Sequence, residues 1–184
     1  AWCFNAILES ELRRKPRRAG GALHPKNSAR RVVWRVSAAG LFIMAKQNPI
    51  IRSKKKKAQA LIDANRFAEA RELYRQICRL DRLDVDAWFT LGLLNGQLGF
   101  LEDTVSCFGE AAALRPDSAE AHFNLGKALG DLGRLEEAAH AYGRALDCRP
   151  EWPEASNNLG NILQALGRLD DAVDCYECAL RIRP

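Results

Sequence analysis

Leu98-Gly99-Phe100-Leu101-Glu102-Asp103, Leu132-Gly133-Arg134-Leu135-Glu136-Glu137 and Leu166-Gly167-Arg168-Leu169-Asp170-Asp171 are near copies of one another, set 34 residues apart. Each copy opens on a Leu-Gly pair and closes on a leucine followed by two acids. Glycine after an apolar stripe ends a helix, because it accepts the left-handed backbone of a helix C-terminus. Acids a few residues later favour the start of the next helix, whose N-terminus carries partial positive charge. The six residues therefore read as a turn between two helices, and the chain makes that turn three times.

The same period runs outward on both sides. Leu91, Leu125 and Leu159 keep step, as do Gly92, Gly126 and Gly160; so do Phe108, Tyr142 and Tyr176, then Ala111, Ala145 and Ala179, then Pro116, Pro150 and Pro184. Counting back another 34 finds a worn first copy in Ala58, Leu61, Asn65, Phe67, Ala70, Tyr74 and Ile77, where Arg82 replaces the proline and Lys57 the leucine. The array is thus divided 51–84, 85–118, 119–152 and 153–184. In the third copy, Leu125, Leu129 and Leu132 form one apolar stripe at helical spacing, and Leu135, Ala138, Tyr142, Ala145 and Leu146 form a second. Gly126 and Ala138 are small where two antiparallel helices would cross closely, and Pro150 stops the second helix. No helix pair covers its own stripes, so neighbours must stack on each other as a solenoid.

A 34-residue period carrying Trp88, Leu91, Gly92, Phe108, Ala111 and Pro116 resembles the tetratricopeptide repeat. The resemblance spans about three quarters of the chain. It implies an all-α, right-handed superhelix of about four helix-turn-helix repeats that binds protein partners without catalysing a reaction. His122 and Ser156 stand where the second copy has Trp88, which removes apolar contact at two seams.

Charge divides the chain differently. The formal total is +5, yet residues 1–57 carry 15 basic against 2 acidic side chains, whereas residues 58–184 carry 13 against 21. Residues 1–50 read as a basic, disordered leader ahead of an acidic array. The chain starts at Ala1, and Met44 is its one methionine, so it reads as a fragment whose natural start is Met44. The charge runs Arg13 to Arg18 and Lys54 to Lys57 lack a folded scaffold with aromatic platforms, and nucleic acid is not the expected partner. No apolar run approaches the ~20 residues needed to span a bilayer. Six cysteines, most inside helical patterns, are too few for a disulfide scaffold and point to a reducing, cytoplasmic setting.

Catalysis has little to work with. His24, His122 and His140 are scattered, and there is no nucleophile elbow or phosphate loop. Cys175 and Cys178 form a C-x-x-C well inside a helix rather than at its N-terminus, and no further ligands complete a zinc site. These thiols read as packing residues; no metal or cofactor is expected. The candidate site is the inner face of the first helices: Phe89, Thr90, Phe123, Asn124, Lys127, Asn157, Asn158 and Asn161. Asparagine offers two donors and an acceptor, suited to gripping the backbone of an extended peptide. Asn124 and Asn158 are similar to the asparagine ladder in the superhelix of protein O-GlcNAc transferases, with Thr90 departing from it. Asp86, Glu120 and Glu154 stack as a row where chaperone-tail clamps of this repeat class carry cations, so a neutral or basic guest is expected over an acidic one. Two other readings stay open: the recruiting arm of a larger glycosyltransferase or sulfotransferase continuing past Pro184, and self-association through an uncapped last repeat.

Overall fold

The computed structural model describes residues 48–183. Residues 1–47 of the basic leader, with the Met44 start, and the closing Pro184 fall outside the described residues, while Asn48 to Ile50, read as leader, form the cap and start of the first helix. Within them the chain is eight α-helices: α1 (Pro49–Asp63), α2 (Phe67–Leu80), α3 (Val85–Gln97), α4 (Leu101–Leu114), α5 (Ala119–Asp131), α6 (Leu135–Cys148), α7 (Pro153–Ala165) and α8 (Leu169–Ile182). Odd and even helices pair within a repeat, and each even helix packs on the odd helix of the next. The helix pairs build a tetratricopeptide-type solenoid.

Local chemistry sets the helix ends. Asn48, Asp84 and Ser118 cap α1, α3 and α5 by accepting from the backbone N–H groups of Ile50, Ala87 and Ala121 at 3.0, 3.1 and 3.3 Å. Pro49 and Pro153 open α1 and α7, where a missing N–H costs nothing. The second helices have no side-chain cap. Instead, Arg66, Arg134 and Arg168 stand at the caps of α2, α6 and α8 and pair with Glu69, Glu137 and Asp171, each at 2.6 Å. In the second repeat that place is taken by Phe100, over whose ring the Arg71 guanidinium lies at 4.1 Å.

The repeated turn is a helix stop as the sequence predicts. Gly99, Gly133 and Gly167 have φ of +80°, +74° and +75°. After each, a backbone N–H reaches back to close the turn: Phe100 to Asn95, Arg134 to Leu129 and Arg168 to Leu163, all at 2.9 Å. Asn65 holds the same place in the first repeat with φ of 58°. Asparagine is among the few other residues that tolerate this conformation.

Glycines at the middle of the first helices meet aromatic rings. A Cβ on Gly92 would lie 2.9 Å from Phe108, one on Gly126 3.0 Å from Tyr142, and one on Gly160 2.6 Å from Tyr176. The close partner of Gly126 is thus the Tyr142 ring, one turn on from Ala138. The core runs through the array as small and aliphatic residues between the layers, among them Ala58, Ile77, Ala87, Leu91, Ala111, Ala121, Leu129 and Ala145.

Candidate functional site

The eight candidate residues all lie on the first helices α3, α5 and α7, but the structure sorts six of them into three hollows and leaves Phe123 and Asn161 outside these. Phe89 and Thr90 line one of about 210 Å³, beside Asp86 and Arg115. Asn124 and Lys127 line a second of about 240 Å³, with Leu93 and Phe108. Asn157 and Asn158 line a third of about 470 Å³, with Tyr176, Leu180 and Arg183. Phe123 belongs to none of these hollows. It stacks on Trp152 at 4.5 Å between centroids and meets Tyr142 edge-on at 5.6 Å. Asn161 accepts from the Tyr176 hydroxyl at 2.8 Å.

The supposed ladder residues already have bonds within the protein. The Asn124 amide donates to the Glu120 carbonyl one turn back at 2.8 Å, and the Thr90 hydroxyl does the same to the Asp86 carbonyl. Burial pushes the Tyr142 phenol up to about 12, while hydrogen bonding with Asn158 works the other way. In the first seam, burial likewise raises the Tyr74 phenol against its contact with Thr90. Phe108 occupies the intervening place, has no hydroxyl, and leaves the Asn124 amide to its own helix.

The acidic row of Asp86, Glu120 and Glu154 is present but not bare. Asp86 meets Arg115 at 3.5 Å, Glu120 is hydrogen-bonded to Arg149, and Glu154 meets Arg183 at 2.9 Å. The Glu120 carboxyl is held below its usual range, first by its own backbone N–H in the opening turn of α5, then by Arg149. Sequence reasoning counted the acids and missed the arginines. The signal was there: Arg115 and Arg149 stand immediately before Pro116 and Pro150, and Arg183 before Pro184, on the same 34-residue period.

At the other seam position, Trp88 donates its indole N–H to the Arg82 carbonyl at 2.9 Å, and the His122 imidazole meets the Pro116 carbonyl at 3.1 Å. His122 therefore loses apolar area but keeps the bond that ties the helix to the preceding loop. Ser156 is buried at the third such place. Cys78 and Cys107 are buried packing groups, while Cys148 is exposed. Burial pushes Cys78 up to about 12, with Cys107 nearby adding to it, and Cys107 up to about 11 against its Asn95 bond. Burial also raises Cys175. No cluster of metal-ligating side chains occurs among the described residues, and no helix among them is long and apolar enough to cross a membrane.

Paired helices, left-handed turns and seams of this kind define a tetratricopeptide-repeat array, a class of protein-interaction scaffold. Three models of the tetratricopeptide repeat family match residues 52–94, 96–151 and 153–184, and the chain belongs to that family. Among solved structures, one of MamA matches with a TM-score of 0.69 at 22% identity, over 78% of this chain and 85% of that one. A second MamA structure matches at the same score and identity over 79% of its length. MamA from Desulfovibrio magneticus RS-1 matches with a TM-score of 0.67 at 17% identity, over 78% of this chain and 82% of that one. At these identities the likeness is one of fold. No curated protein matches the chain in sequence.

Proposed function

We propose that the array is a non-catalytic scaffold that binds an extended segment of a partner protein along the face of its first helices. The observation that carries this reading is that Thr90, Asn124 and Asn158, at one register of α3, α5 and α7, each line a hollow. Polar amides beside Phe89, Leu93 and Tyr176 suit a peptide backbone that needs bonds and side chains that need apolar cover. With the acidic row paired to arginines, the guest is not excluded by that row. A neutral or basic segment is favoured by the excess of 21 acids over 13 bases in residues 58–184.

The test starts from peptides selected out of a random fifteen-residue display library against the chain. One selected peptide is then titrated by fluorescence anisotropy against the wild type and against an Asn124→Ala plus Asn157→Ala variant. Neither amide ties the helices together, so the fold stays and affinity falls about fivefold or more. Undiminished affinity in the double variant would rule the groove out. A second reading rests on the last repeat, where Leu169, Val173 and Leu180 are 60%, 52% and 63% exposed. Such a face suits self-association, and sedimentation velocity across a hundredfold concentration range checks it, with a constant monomer value counting against it.

A further inference from the structure

The cleft of about 370 Å³ between α2 and α4 belongs to the face opposite in kind to the groove above, since second helices form its walls and the first helix α3 its floor. Arg75, Arg79 and Arg82 line the α2 side, and Trp88 and Asn95 the floor. Arg75 and Arg79 stand one turn apart on α2, with about 6 Å of rise between them, and Arg82 follows in the turn after the helix ends at Leu80. Arg75 stands 3.8 Å from Glu72, beyond hydrogen-bonding reach. Among the described residues, Arg79 and Arg82 have no carboxylate partner. On the far wall Asp103 is already held by Arg71 at 2.6 Å, which leaves Glu110 as the one uncommitted acid there.

Nothing in the repeat requires these cations. One period later their places are taken by Gly109, Ala113 and Pro116, and two periods later by Gly143, Asp147 and Pro150. The floor departs from the repeat in the same place. Asn95, 2% exposed, replaces the leucine found at Leu61, Leu129 and Leu163, and it is bonded to Arg71 and Cys107. The corresponding hollow of the third repeat has no arginine on the wall equivalent to α2, and its other wall carries Glu136, Glu137, His140 and Arg144. Charge follows the same line. Residues 51–84 carry ten basic against five acidic side chains, whereas residues 85–184 carry eight against sixteen. The negative charge of the array lies wholly in its last three repeats, and the first repeat is a positive island.

We propose that this cleft docks an acidic segment of a protein partner, its carboxylates across Arg75, Arg79 and Arg82 and one aromatic side chain over Trp88. Alternate residues of an extended chain lie about 6.6 Å apart on one face, close to the separation of Arg75 and Arg79. Guanidinium groups take carboxylates in bidentate fashion, and the half-buried indole offers the apolar contact. The cleft is separate from the first-helix groove, so it stands or falls independently of it.

The probe is a fluorescein-labelled peptide of alternating glutamate and serine with one central tyrosine, titrated by anisotropy at low and moderate salt. It binds the wild type, more weakly as salt rises, and shifts the Trp88 indole N–H in a ¹H–¹⁵N spectrum. An Arg79→Glu plus Arg82→Glu variant, altering two exposed side chains and matched to the wild type by circular dichroism, binds about tenfold or more weakly. The Asn124→Ala plus Asn157→Ala variant binds as the wild type does. Absence of binding to the wild type, equal affinity in the arginine variant, or an unmoved Trp88 signal overturns the proposal. So does displacement of the peptide by a single-stranded oligonucleotide of equal charge, which would mark the cleft as a nucleic-acid site.

Discussion

Replacing glycine by alanine has opposite effects at two positions of the same repeat. Gly143, midway along α6, has nothing within 4 Å of a would-be Cβ. Alanine there gains the full helix preference over glycine, about 0.5–1 kcal/mol of stabilisation. The register already tolerates side chains, since Arg75 and Glu177 stand at the equivalent places. Gly126 receives the same propensity gain, but its Cβ would lie 3.0 Å from Tyr142 Cγ and 3.1 Å from both Cδ atoms. Ordinary carbon contacts are about 3.5–4.0 Å, so the ring has to retreat by at least about half an ångström. The clash is at the root of the ring, where a χ rotation gives least relief. Tyr142 is 4% exposed and has Phe123 against its edge. Overpacking of this kind costs about 1–3 kcal/mol, which outweighs the propensity gain. The two variants should therefore differ by about 2 kcal/mol, or roughly 4–8 °C in Tm for a chain of this size. Thermal and urea unfolding followed by circular dichroism measure it, with Gly126→Ala below the wild type and Gly143→Ala above. Equal shifts, or a more stable Gly126→Ala, would refute the ring-on-glycine account of the helix crossing.

Asn65→Gly should stabilise the first repeat by up to about 1 kcal/mol by relieving the left-handed backbone, while Asn65→Ala destabilises; both are read from the same unfolding curves. Peptide mapping after brief alkylation at pH 8 should find exposed Cys148 labelled and Cys78 and Cys107 protected, since thiols raised to about 12 and 11 hold at most about one thiolate in a thousand at that pH. Because burial favours their neutral form, the stability these thiols contribute is present below the unfolded thiol range near 8.5 and declines as pH rises from there towards 11, a trend that Cys78→Ala plus Cys107→Ala should weaken. Arg71→Val and Asn95→Leu restore the residue types of other repeats at a polar pair of which Asn95 is buried and Arg71 half-buried. The double variant should be at least as stable as the wild type, with a coupling of about 1–3 kcal/mol across the mutant cycle, measured by urea denaturation.

The repeat, its turns and its helix count were legible because they rest on local rules expressed three times over. Gly133 reads as a left-handed stop from sequence alone, and so it stands. The first repeat was harder: Asn65, Arg82 and Lys57 blur the period, and only counting by 34 exposes it. That the eight candidates sit on the first helices was also legible, since the 34-residue period places each helix pair. What each side chain does there was not. Asn124 turns back to the Glu120 carbonyl and Phe123 is capped by Trp152, both consequences of three-dimensional neighbours. The acidic row looked like a field because the arginines that answer it lie 29 residues further along the chain, across the width of the repeat.

Those arginines have a consequence for how such an array grows. Asp86 and Arg115 both belong to residues 85–118, Glu120 and Arg149 to 119–152, and Glu154 and Arg183 to 153–184. Each of these three units thus carries both halves of its own latch. A gene duplication that copies one unit inserts a closed electrostatic circuit, and a deletion removes one, without stranding a charge on either neighbour. Lengthening the array is in that respect nearly neutral from the first generation, leaving the seams, where Arg71 reaches Asp103 and Arg134 reaches Glu102, as the places where a new copy must be fitted to its surroundings.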